Sequence, residues 1–216
     1  MAFHLIDIEH WERREHYRHF IQEVVCGYSL TTYLDITNLS GQRLYPAMLW
    51  LLTDTVNCYP EFRTALTDKG LGVYDDMHPA YTIFHREKKT FSGIWTFFSP
   101  DYPTFLQAYR SDTAAYAASS HYEPKSGRPA NSFDVSMMPW VTFTSFHLQI
   151  FNEGKYLLPI FTMGKVFEEG GKRKIPLAIQ VHHAVCDGYH VGVFLETLQE
   201  KIDQFGKAEG SLLQSE

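Results

Sequence analysis

The chain has 216 residues, 44% of them hydrophobic and 15% aromatic, enough to bury the core of one domain, expected over residues 1–216. Nineteen Lys and Arg stand against 25 Asp and Glu, a formal charge of -6, which excludes a nucleic-acid surface of clustered cations but not a site for a small anionic ligand. Cys26, Cys58 and Cys186 are widely spaced with no CxxC pair, pointing away from structural zinc and towards a reducing, cytoplasmic setting; there is no secretory leader pattern and no membrane-spanning apolar run.

No repeat or linker-like tract divides the sequence. Phe3–Asp7 alternates as a short strand, and His10–Ile21 reads as a charged surface helix. Tyr28–Thr37 is rich in β-branched and aromatic residues and predicts a strand. Pro46–Asn57 predicts a buried helix with Pro46 in its first turn, followed by strands near Gly70–Tyr74, Ala80–Arg86 and Thr90–Phe97. Thr104–Ala118 reads as a helix and Ser119–Asn131 as a loop. The strongest strand signals are Val141–Ile150, Leu157–Glu168 and Lys174–His183, the last two joined at Gly170-Gly171 in a hairpin turn. Gly188–Phe205 predicts an amphipathic helix with Val191, Phe194, Leu195 and Leu198 on one face, and the residues after about 207 a loose tail. Strands mixed irregularly with helices predict an α+β, two-layer α/β sandwich with a mixed sheet. No GxGxxG or GxxxxGK[ST] signals a nucleotide site.

The chemistry concentrates in Ile179–His190, IQVHHAVCDGYH. A strand that ends in histidine, before a tight turn and a helix start, presents one imidazole at the mouth of a cleft. There it can take a proton from a bound hydroxyl. Adjacent strand histidines point to opposite faces, so the pair does not converge on one metal, and no four-ligand spacing emerges.

HHAVCDG at His182–Gly188 resembles the active-site signature of the chloramphenicol acetyltransferases. WERREH (Trp11–His16), CGYSL (Cys26–Leu30), YPAM (Tyr45–Met48), TFS (Thr90–Ser92), SMMPWVTFTSF (Ser136–Phe146) and PIFTMGK (Pro159–Lys165) are similar to the same family, so the resemblance runs along almost the whole chain. It implies a CoA-dependent acyltransferase-like fold, acetyl-CoA as co-substrate without a metal, and O-acetylation of the C3 hydroxyl of chloramphenicol. It also implies a homotrimer with active sites at subunit interfaces.

Residue by residue, the resemblance makes His183 the general base, with one ring nitrogen held by its own carbonyl, and leaves His182 structural. Asp187 and Arg13 become a supporting ion pair. Ser136 becomes the donor to the tetrahedral oxyanion, and Thr162 a holder of water near it. Phe20, Val24, Cys26, Phe91, Phe146 and Leu148 surround the acceptor, with a further aromatic from the loop near Tyr122. Lys165 and Arg43 become contacts to CoA phosphates. Phe20 stands where relatives carry tyrosine, and His19 where they carry an aromatic residue. Three other readings stay open: a different hydroxyl acceptor, a covalent route through Cys26, and an aromatic-ligand binder that sequesters drug without turnover.

Overall fold

A computed structural model of the chain describes residues 2–148, 150 and 154–212, with side chains through residue 205. Two sheets form. The smaller orders β1 (Phe3–Leu5), β4 (Gly70–Tyr74) and β3 (Thr64–Thr67), all antiparallel. The larger runs β2 (Gly27–Asp35), β10 (Lys172–His182), β8 (Ile160–Met163), β7 (Ser132–Met137), β5 (His78–His85) and β6 (Thr90–Trp95), with β9 (Phe167–Glu169) on the far end of β10. Its β5–β7 and β7–β8 pairings are parallel and the rest antiparallel, so the sheet is mixed, as the sequence predicts.

Three long helices cover one face of this sheet and make the second layer. They are α2 (Leu44–Val56), α3 (Tyr102–Tyr116) and α4 (Gly188–Leu212), with α2 packed against both others. The core follows from period-two burial on β10 meeting a helical stripe on α4. Ile175, Leu177, Ile179 and Val181 point into the helical layer, against Val191, Phe194, Leu198 and Ile202. Each of these large side chains is almost wholly shielded and contributes roughly 1.5–3 kcal/mol of apolar burial. The α3 helix starts where Asp101 accepts the amide of Thr104 at 3.0 Å, with Pro103 in its first turn.

The hairpin between β9 and β10 turns at Gly170 (φ 60°) and Gly171 (φ 74°), the two positive dihedrals of a tight reversal. Four expectations need correction. The predicted strand Val141–Ile150 joins no ladder among its described residues (Gln149 lies outside them). Its place beside β8 is taken by β7, which the sequence reading left unassigned. Leu157–Glu168 divides into β8 and β9. The helix expected over His10–Ile21 breaks into a 3-10 turn (Ile8–His10), α1 (Arg14–Arg18) and a π-helical turn (His19–Glu23). Finally, α4 continues to Leu212 instead of ending at Phe205; residues 213–216 of the expected tail lie outside the described residues.

Candidate active site

His183 follows β10 directly. Its backbone amide donates to the Cys26 carbonyl (2.8 Å), extending the β2–β10 ladder by one rung. The imidazole stacks on Phe20, with ring centroids 4.1 Å apart and planes 11° from parallel, while Tyr28 meets it edge-on at 5.3 Å. The π-helical turn after α1 delivers Phe20; a wider turn of this kind re-aims side chains and recurs at functional sites. His182 points the other way. It is buried, its Nδ1 accepts the Ala184 amide (3.1 Å), and burial lowers its pKa, which keeps it neutral.

Arg13 ties the turn together. Its guanidinium grips Asp187 in two parallel bonds, the Nη1–Oδ2 one at 2.6 Å, and also donates to the carbonyls of Ala184 (3.0 Å) and His183 (2.9 Å). Hydrogen bonding from Arg13 holds the Asp187 carboxyl below the usual carboxylate range despite partial burial. Asp187 Oδ1 lies 3.0 Å from His183 Nδ1 but off the line a hydrogen bond needs, so Nδ1 is buried without a hydrogen-bond partner among the described residues. The His183 carbonyl, assigned by the resemblance to the ring, instead receives Arg13. The carboxylate beside Nδ1 still favours the neutral tautomer with its proton there, leaving Nε2 free to accept one.

Because the Asp187 carboxyl is depressed in the folded protein, its stabilisation is complete above the ordinary value near pH 4 and fades as pH falls through the lowered one. Asp187→Asn is therefore expected to destabilise the protein by about 1–3 kcal/mol at neutral pH, a figure reduced for partial exposure. Urea unfolding of the variant and wild type should converge below about pH 4. A gap that persists undiminished in acid would contradict an ionic origin.

Ser136 and Thr162 sit elsewhere. They are in register on parallel β7 and β8, with Oγ and Oγ1 3.0 Å apart. Ser136, Phe91, Leu148 and Tyr122 line an apolar cavity of about 400 Å³ on the face of the sheet away from the helices. Phe146 lines a narrower cleft beside it with Ser29, Thr162 and Leu148. Thr162 pairs with Ala178, five residues before His183, so Ser136 lies two strands across and about 17 Å along from that histidine, a separation on the order of 19 Å. A base and an oxyanion donor serving one tetrahedral centre must stand within about 8 Å, two hydrogen-bond lengths plus the width of the centre. One chain does not bring them together.

A second cavity, about 370 Å³, opens beside Met137 and is walled by Tyr45, Phe84, Tyr109 and Trp140. Burial pushes the Tyr109 hydroxyl up to about 12, and the positive charge of Arg43 opposes the shift. Arg43 is exposed as the residue preceding α2, and Lys165 is exposed just past β8, its amide bonded to the Val141 carbonyl (2.8 Å) next to Trp140. Val24 is exposed near Cys26. Among the described residues the Cys26 thiol hydrogen-bonds the Gly27 carbonyl, at 4.0 Å, and no histidine, so no cysteine–histidine dyad forms among them. Burial raises the Cys186 thiol to about 12, too high for a nucleophile. Among the described residues no group of three or more His, Cys, Asp or Glu is placed to hold a metal ion.

The family profile described as chloramphenicol acetyltransferase matches residues 1–199. The chain belongs to the chloramphenicol acetyltransferase family. A chloramphenicol acetyltransferase of Campylobacter coli is 48% identical over 207 residues, covering 94% of this chain and all of the relative. One from Clostridium perfringens is 45% identical over 207 residues, covering 93% and 94%. A solved chloramphenicol acetyltransferase structure superposes with a TM-score of 0.78 over 93% of this chain and all of the other, at 24% identity, and shares the fold. The family resemblance drawn from HHAVCDG and the flanking segments is thus established, as is the acyltransferase fold it implied. What it did not single out are Tyr28 against the His183 ring, His190 behind the turn, and the aromatic walls Tyr45 and Trp140. All four lie within quoted segments or beside them, and only packing reveals which way they face.

Proposed function

We propose that this chain transfers the acetyl group of acetyl-CoA to the primary hydroxyl of chloramphenicol, in a ternary complex completed by a second copy of the chain. Membership of the family supplies the reaction; the observation that carries the mechanism is the imidazole of His183 fixed at the strand end by Phe20 and Tyr28. Nε2 of His183 takes the proton of the bound hydroxyl as its oxygen attacks the thioester carbonyl. The Ser136 hydroxyl stabilises the oxyanion of the tetrahedral centre, with Thr162 behind it. Collapse breaks the carbon–sulfur bond, and the CoA thiolate recovers the proton from the imidazolium.

The apolar cavity beside Ser136 suits the aromatic body of the acceptor. Arg43 lies two residues before the cavity wall Tyr45, and Lys165 is bonded through its amide to the residue after the cavity wall Trp140, which supports the second cavity as the place of an extended thiol arm with the CoA phosphates towards these cations. The separation of His183 from Ser136 supports an assembly, a homotrimer by family resemblance, in which one subunit gives the base and its neighbour the oxyanion donor. The exposed apolar residues Val141, Leu148 and Ile150, in a segment that joins no sheet ladder among the described residues, support such an interface. No helix among the described residues is long and apolar enough to cross a membrane.

The test is release of free CoA thiol from acetyl-CoA. Chloramphenicol is expected to support turnover far above other primary alcohols; preferred turnover of a different alcohol would redirect the acceptor assignment, and tight binding without turnover would favour sequestration.

A further inference from the structure

The turn that carries His183 is closed from behind by a histidine that touches neither substrate cavity. Gly188 opens α4, the Val191 amide donates to the Asp187 carbonyl (3.1 Å), and Asp187 is therefore the helix's N-cap. An N-cap aspartate ordinarily turns its carboxylate onto the first amides of its own helix. Here both carboxylate oxygens go to Arg13. The third helical residue, His190, supplies the other half of a capping box: its Nδ1 accepts the Asp187 amide at 2.9 Å. Accepting through Nδ1 leaves the proton of the neutral ring on Nε2, which faces Glu61 Oε1 at 3.8 Å on the 3-10 turn Pro60–Phe62. The imidazole is thus bonded to the backbone of the turn on one side and faces a carboxylate of another element on the other.

We infer that His190 is a positioning residue for the acetyl-transfer step, acting by fixing the Asp187 amide so that the aspartate stays free for Arg13 and Arg13 stays on the His183 carbonyl. The linkage is continuous: His190 Nδ1 to the Asp187 amide, Asp187 carboxylate to Arg13, Arg13 Nη2 to the carbonyl of His183. Without the acceptor at Nδ1, the Asp187 amide is left to compete for its own carboxylate, which loosens the grip of Arg13 and lets the base shift. A misplacement of about 1 Å at a reacting group can cost about 10²-fold in rate. This rests on the reading of His183 as the base.

His190→Asn and His190→Gln separate positioning from mere stability, because Asn Oδ1 reaches the place of Nδ1 whereas Gln projects its acceptor to the place of Nε2. Both variants, with His190→Ala and His183→Ala, are assayed as assembled enzyme for kcat and KM of both substrates, alongside thermal unfolding. The expected result is a kcat about 10- to 100-fold lower in His190→Ala and His190→Gln, with each KM within about threefold of wild type, and recovery of most of kcat in His190→Asn. Equal kcat in the Asn and Gln variants, or a loss confined to melting temperature, overturns the inference even if His190→Ala fails to fold. Activity surviving in His183→Ala would instead overturn the assignment of the base, so the two failures are told apart.

Discussion

His183→Ala is expected to lower kcat for acetyl transfer by about 10²- to 10⁴-fold, the range in which a positioned general base operates, while KM for chloramphenicol and acetyl-CoA moves only a few-fold. The imidazole is sandwiched by Phe20, edged by Tyr28 and approached at Nδ1 by the Asp187 carboxylate, so its Nε2 is presented in one orientation. A proton acceptor so placed acts in the transition state, not in ground-state binding, which is why the loss falls on kcat. Truncation also leaves Phe20 without its stacking partner, worth about 0.5–1.5 kcal/mol, so a modest fall in melting temperature should accompany the loss. Thiol release on the purified assembly measures the first quantity, and a kcat within a few-fold of wild type would remove the imidazole from the mechanism. The buried Cys186 offers no rescue as a nucleophile, because desolvation keeps it a thiol at working pH.

The chemical segment was legible in the sequence because its constraints are local. A strand of alternating apolar residues, a histidine pair, an Asp-Gly turn and an amphipathic helix each obey short-range rules, and β10 and α4 lie close to where those rules put them. Even the ion pair of Arg13 with Asp187, 174 positions apart, was available through family resemblance, although no spacing rule connects the two. The central strand order was not legible. VTFTSFHLQI from Val141 alternates in two stretches, Val141–Thr144 and Phe146–Ile150, with the parity slipping at Ser145, and it makes isolated bonds such as Phe146 N to Thr31 Oγ1 (3.3 Å), with Val141 more than half exposed. Ser132–Met137 carries a shorter but unbroken alternation and takes the ladder, because Phe133 and Val135 fill the core under the helices while Asp134 and Ser136 face the cavity. Period-two patterning says that a segment has two unlike faces; it does not say whether the partner lies within the chain. The distance between His183 and Ser136 was hidden for the same reason, since it depends on which strands separate them.

That distance gives the last prediction. His183→Ala and Ser136→Ala are each expected to be nearly inactive as pure assemblies, the serine variant by about 10²–10³-fold. Co-expressed or mixed under reversible unfolding, the two should regain activity. In a closed ring each site joins unlike faces of neighbouring subunits, so random assembly gives about one site in four an intact histidine from one subunit and an intact serine from the next. Activity near a quarter of wild type, at least tenfold above the better parent, is the expected reading, and it should scale with the fraction of mixed oligomers isolated by differential tagging. No chain-internal site can yield this result, because every subunit of the mixture lacks one of the two groups. If mixed assemblies merely average their parents, base and oxyanion donor belong to one chain, and β7 and β10 would have to approach far more closely in the working enzyme than the register of Ser136 with Thr162 and of Thr162 with Ala178 allows.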